Sequence, residues 1–303
     1  MNNFSIDSSA QFFKQLVTQY EKKDLAMWCY ANPMPRPCFT KDLLNDLLRY
    51  FKAIENNIKH DISAGLNPKI KYLILGSYTP GVFSLGGDLS FFVECIREND
   101  RERLYDYMRL SIDVLYYTHT NLDVPISTIA LVRGNALGAG FEGALSCDYI
   151  IAEKSVQLGF PEVLFNMFPG MGAYSFLSRR ISPVDVDRMI LSGRIYAAEE
   201  LYEMGIIDVL CEDGEGVSEV RKFLKKVNKT EYTRKALRDV KQVVNPIFKN
   251  ELIDIGNIWV DTAMRLTSRE LKVMERLIRS QDNLDKPQAG IVLDQTNLTG
   301  DAG

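Results

Sequence analysis

The chain has 303 residues, 46% of them hydrophobic and 25% charged, with a formal net charge of −4. This is ordinary globular composition with enough length for a large core. Nothing in it resembles a phosphate-tracking basic surface, which speaks against nucleic acid, and no apolar run nears the roughly 18 residues of a membrane span.

The opening MNNFSIDSSAQFF has neither the basic nor the apolar region of a secretory signal, so a cytoplasmic protein is expected. The five cysteines, Cys29, Cys38, Cys95, Cys147 and Cys211, include no C-x-x-C pair and are read as small buried residues rather than a disulfide or zinc framework. Phe12, Phe13, Leu16, Val17 and Tyr20 stand at helical spacing and predict an amphipathic helix within residues 1–30. A proline-rich connector, Ala31 to Pro37, follows and cannot be helical throughout. Thr40 is placed to cap a helix carrying Leu43, Leu44, Leu47, Leu48 and Phe51. Lys71 to Gly76 reads as a buried strand, 77–87 as a loop, and Asp88 as the cap of a helix starting at Leu89, before a longer helix over 101–118.

Pro125 opens a strand over Ile126–Val132, and a glycine turn at 134–140 leads into a short helix ending near Ser146. Strands over 149–153 and 156–160 precede Pro161-Glu162. Helices are expected from Pro169-Gly-Met-Gly172 to Arg180, from Pro183 through Leu191, and over Ala197–Met204, with a strand over Ile207–Leu210. The pattern is helical over about 216–280, and 285–303 reads as a flexible tail. Alternating strands and helices predict an α/β core. The expected organisation is an N-terminal helical extension (1–40), a catalytic core (41–215), a C-terminal helical region (216–284) and the tail.

The chemistry is concentrated in two glycine turns. Phe83-Ser-Leu-Gly-Gly-Asp88 and Arg133 to Glu142 each follow a strand and lead into a helix. Helix N-termini carry unpaired N–H groups and the positive end of a dipole. Two of them converging on one oxygen would form an oxyanion hole, with Leu85 and Ala139 the expected donors. Glu142 sits in the second turn, and Glu162 follows Pro161 at the end of a strand. Two carboxyls beside an oxyanion hole suit an enolate: one takes the proton α to a thioester while the other protonates a departing β-hydroxyl. Gly138-Ala-Gly140-Phe-Glu-Gly143 also matches the dinucleotide fingerprint, but Asn135-Ala-Leu137 separates it from its strand and the helix after it is too short for a βαβ crossover. Of the two histidines, His60 and His119, neither adjoins a nucleophile turn, which disfavours a Ser-His-Asp triad.

Over about 70–215 these motifs resemble the crotonase (enoyl-CoA hydratase/isomerase) superfamily. The two glycine turns resemble its oxyanion segments, Phe160-Pro-Glu162 the segment of its second catalytic glutamate, and Pro169-Gly-Met-Gly172 the turn beyond. The resemblance implies a spiral of ββα turns, a homo-oligomer (a trimer), Glu142 and Glu162 as acid/base pair, and an oxyanion hole at Leu85 and Ala139, with Gly86 and Gly140 expected to bind substrate beside it. It implies no metal and no cofactor.

A narrower likeness is to the diffusible-signal-factor synthases of Gram-negative bacteria. It is carried by Trp28-x-Tyr30, Arg36-Pro37-x-Phe39-Thr40, Thr79 to Asp88 and Arg279-Ser-Gln-Asp282. That resemblance implies dehydration and then thioester hydrolysis of a 3-hydroxyacyl group on an acyl carrier protein, giving a cis-2-unsaturated fatty-acid signal. It also implies contact with a cognate signal-sensor protein. Pro80-Gly-Val82 stands where coenzyme A-dependent relatives carry a basic residue, which favours a carrier protein over the nucleotide. The alternative is an enoyl-CoA hydratase/isomerase of fatty-acid metabolism. An acyl chain needs an apolar pocket, and Met171, Trp259 and Leu277 are the candidates to line it.

Overall fold

The structure, a computed structural model, describes residues 13–282. It begins with a hairpin, not a helix: β1 (Leu16–Glu21) pairs antiparallel with β2 (Ala26–Ala31). Leu16 and Thr18 are buried while Val17 and Gln19 are exposed, the period of a strand with one covered face. Ala26 to Cys29 are buried on both faces, so β2 carries no alternation to betray it. A turn through Lys22–Asp24, with Leu25 at φ 52°, reverses the chain between them. Phe12, part of the expected helix, and the expected tail at 285–303 lie outside the described residues.

The next helix, α1 (Lys41–Ser63), is capped as expected, the Thr40 side chain accepting from the Leu43 N–H. From there the chain winds in a spiral whose turns each lay down a long strand, a short strand and helix. The first turn is β3 (Tyr72–Ser77), β4 (Val82–Ser84), α2 (Leu89–Arg97) and α3 (Arg101–His119). The second is β5 (Ser127–Val132), β6 (Asn135–Leu137) and α4 (Ala139–Leu145). The third is β7 (Tyr149–Glu153), β8 (Gln157–Gly159), a 3-10 turn over Pro161–Phe165, α5 (Ala173–Leu177) and α6 (Pro183–Ser192). A closing set follows: β9 (Ile195–Ala197), α7 (Ala198–Glu203) and β10 (Val209–Cys211).

The long strands form a six-stranded sheet in the order β1-β2-β3-β5-β7-β10, parallel except at β1. The short strands form a second sheet, β4-β6-β8-β9, parallel except at β9. This is the ββα spiral that the motifs imply. Alternate residues of the large sheet face two cores. Leu73 and Ala130 join the main one, whereas Ile74, Ile129 and Leu131 pack against Val220, Phe223 and Leu224 of α8 (Gly216–Asn228).

Three further helices complete the described residues: α9 (Glu231–Val244), none of whose residues is buried, α10 (Lys249–Ala263) and α11 (Ser268–Asp282). α10 lies on α3, and α11 lies on α2 and the 161–165 turn. All five cysteines are free and buried. No helix among the described residues is long and apolar enough to cross a membrane.

The spiral requires the loops after β3 and β5 to touch. A Cβ on Gly134 would lie 2.2 Å from the Gly81 carbonyl carbon and the Val82 nitrogen, both backbone atoms. Gly134→Ala should therefore force β4 and β6 apart and destabilise the fold by about 1–3 kcal/mol, the usual cost of overpacking. Thermal unfolding checks this, and an unshifted midpoint would contradict it.

Candidate active site

The turn 84–88 closes the first ββ unit, and its amides are accounted for one by one. Leu85 N–H donates to the Pro37 carbonyl at 2.8 Å. Gly86 N–H donates to Ser84 Oγ at 3.3 Å, and Asp88 N–H to Tyr107 Oη at 3.3 Å. Gly87 N–H has no acceptor among the described residues, and Gly87 lines an apolar cavity of about 200 Å³ at the turn. The sequence expectation of Leu85 as a donor is thereby corrected. The connector at Pro37 occupies its N–H, and the free amide is two residues further on.

The second turn brings α4 in from the opposite side. Ala139 is its first residue, so its N–H has no partner within the helix. Gly86 (φ 102°) lies against this terminus: a Cβ on it would sit 3.0 Å from Leu137 O and 3.5 Å from Ala139 N. Gly86, Gly87, Gly138 and Ala139 all line the cavity. Gly140 does not, contrary to expectation. A Cβ there would fall 2.5 Å from Ser84 O, so this glycine lets the two turns pack together. Gly143, third glycine of the apparent dinucleotide fingerprint, faces the Phe39 ring.

Glu142 is 1% exposed. Its Oε1 accepts from Met171 N–H at 2.8 Å and Ala173 N–H at 2.9 Å, the amides of the turn that leads into α5. Burial outweighs these bonds and raises its pKa to about 7. Glu162 follows Pro161 in the 3-10 turn, and its carboxyl lies against Gly138, where a Cβ would stand 2.3 Å from Oε1. Its Oε2 is buried without a hydrogen-bond partner. Burial, and then the charge of Glu142, push its pKa up to about 8. Both carboxyls line the same cavity, and no cation offsets either one. Near neutral pH the pair holds a proton that it can give and take back.

The rest of the cavity is apolar. Met171 and Trp259 line it as expected, and so does Leu277 on α11, with Phe92, Leu266 and Met274 beside them. The sequence reading missed Phe92 and Tyr107, which come from the helices after the first turn; the only signal was the spacing that puts Phe92 and Tyr107 on buried helix faces. His119 does not line the cavity; it is half-buried beside Phe176, and desolvation lowers its pKa to about 4.

Residues 23–274 match the enoyl-CoA hydratase/isomerase family. The chain belongs to that family. It is 28% identical over 183 residues to the mitochondrial methylglutaconyl-CoA hydratase of Rattus norvegicus, a match covering 60% of this chain and 54% of that protein. The chain thus spans little more than half the length of that relative. Among solved structures, the enoyl-CoA hydratase from Bacillus halodurans superposes with a TM-score of 0.72 at 22% identity, covering 87% of this chain and 100% of its own. Human mitochondrial delta3-delta2-enoyl-CoA isomerase gives 0.73 at 14% identity, covering 90% and 100%. At such identities the two superpositions show the fold.

The raised carboxyl pKa has a consequence for stability. Between pH 4.5 and about 8 the unfolded chain loses the Glu162 proton while the folded chain keeps it, so stability falls as pH rises through that window. Glu162→Gln removes this penalty. Its unfolding midpoint should match wild type below pH 4.5 and exceed it by a growing margin toward about pH 8. Melting curves across that range, with a constant difference instead of a growing one, would count against it.

Proposed function

We propose that the protein removes and adds water across the Cα–Cβ bond of an acyl thioester. The observation that carries this is the meeting, in one apolar cavity, of two uncompensated carboxyls with raised pKa and two amides, of Gly87 and Ala139, with no acceptor among the described residues. The thioester carbonyl accepts from both amides, and each such donor contributes roughly 3–4 kcal/mol as the oxygen becomes an oxyanion. In the dehydration direction one carboxylate takes the α-proton and the C–H electron pair becomes the new double bond. The β C–O bond breaks, and the other carboxyl protonates the hydroxyl as it leaves as water. Run backwards, the same steps hydrate an enoyl thioester. The family and the names of its relatives support this reading.

The finer reading is that the substrate is a 3-hydroxyacyl group on an acyl carrier protein, and that the product leaves as a free cis-2-enoic acid of the diffusible-signal-factor type. The comparisons speak more for the plain hydratase/isomerase reaction. What supports the finer reading is the sequence likeness and the loop Pro80-Gly81-Val82, which offers no cation to a nucleotide. In this reading a carboxylate takes a proton from water as the water oxygen adds to the thioester carbonyl, the C–S bond breaks, and the carrier thiol leaves with that proton, so one site serves both steps.

The test is to supply 3-hydroxyacyl thioesters of a carrier protein and of coenzyme A and to follow both 2-enoyl thioester and free acid by mass spectrometry. Glu142→Gln and Glu162→Gln should each reduce turnover by at least about 100-fold. Wild-type rates in both variants would refute the proposed chemistry. A product that stays bound as thioester would refute the hydrolytic step alone.

A further inference from the structure

The amide of Gly87 lies in a turn held on every other side, and the holding groups come from outside the turn. The connector before α1 pairs with it twice: Leu85 N–H donates to Pro37 O at 2.8 Å, and Phe39 N–H donates to Gly86 O at 2.8 Å. Tyr107 on α3 ties the two pieces together. Its hydroxyl donates to Phe39 O at 2.5 Å and accepts from Asp88 N–H at 3.3 Å. The ring is 1% exposed, and the hydroxyl bonds to both strands of the connector–turn pair. Asp88 in turn caps α2 by accepting from Phe91 N–H at 3.2 Å.

Phe92, one residue along α2, presses on the turn from the cavity side. A Cβ on Gly87 would lie 2.6 Å from its Cζ. The Phe92 ring stands edge-on to Tyr107, centroids 4.9 Å apart, and edge-on to Trp259 at 5.1 Å. Trp259 and Phe92 are also cavity walls, so a chain filling the cavity touches the same ring that bears on Gly87.

We propose that Tyr107 and Phe92 are positioning residues for the Gly87 amide: Tyr107 clamps the turn to the Pro37–Phe39 connector, and Phe92 relays the presence of an acyl chain from Trp259 to the turn. This deepens the proposed function and rests on the Gly87 amide receiving the thioester oxygen. Such donors work by preorganisation, and misplacement by about 1 Å costs on the order of 100-fold in rate. Remote binding energy used in this way appears in kcat and not only in KM. Wild-type kcat should therefore rise with acyl length until the chain reaches Trp259.

The experiment measures kcat and KM for short and medium-chain 3-hydroxyacyl thioesters in wild type, Tyr107→Phe and Phe92→Leu, with unfolding midpoints alongside. Tyr107→Phe should lower kcat about 10–100-fold for both lengths with KM changed less than about threefold. Phe92→Leu should flatten the dependence of kcat on chain length, so that the medium-chain advantage of wild type is lost. A Tyr107→Phe enzyme with wild-type kcat, or with its loss confined to KM, would overturn the clamp. An unaltered length dependence in Phe92→Leu would overturn the relay, and that arm stands if Tyr107→Phe does not fold. Absence of wild-type turnover on every thioester would instead remove the functional reading, and this inference with it.

Discussion

The cavity exists because two backbone turns approach more closely than side chains would permit. Gly134 meets the backbone at Gly81 and Val82, Gly140 meets Ser84, and Gly86 meets the end of β6 and the start of α4. These contacts fix the separation of β4 and β6, and with it the separation of the Gly87 and Ala139 amides. A protein interior packs at crystal-like density, so such contacts transmit position rather than absorb it. The large sheet sets the directions of the turns, but the glycines set the distance on which any shared ligand depends.

Into this frame the fold places two carboxyls, and no cation among the described residues offsets either one. Glu142 gains two amide bonds and still has its pKa raised, and Glu162 gains none at Oε2 and is raised further. Burying an unpaired carboxylate is costly, and folding avoids the cost by keeping a proton on the pair. The same shortage of counter-charge that weakens the folded state near neutral pH supplies the acid and the base of the proposed reaction. Stability and reactivity here are two readings of one desolvation.

Much of this was legible from local sequence. The caps at Thr40 and Asp88, the glycine turns, Glu142 and Glu162 all announce themselves within a few residues, because caps and turns are decided by neighbours. What stayed hidden depended on distant segments. Ala26–Cys29 looks helical or extended alike until β1 and β3 flank it on both sides. The three-residue strands β4, β6 and β9 are too short to show a period, and they are strands because β4 pairs with β6 and β9 with β8. Leu85 and Gly87 cannot be ranked as donors without knowing that Pro37, far back in the chain, lies against Leu85.

Glu142 holds one oxygen, Oε1, against the Met171 and Ala173 amides, and its carboxyl lines the cavity. The carboxyl cannot spin to offer either oxygen, nor swing to the other side of the turn. Any hydrogen it transfers travels along one line, toward one side of the bound molecule. The two hydrogens of a methylene group are mirror-related and equal in water. In the proposed reaction they are not equal, and the handedness of that choice originates in a pair of peptide N–H groups.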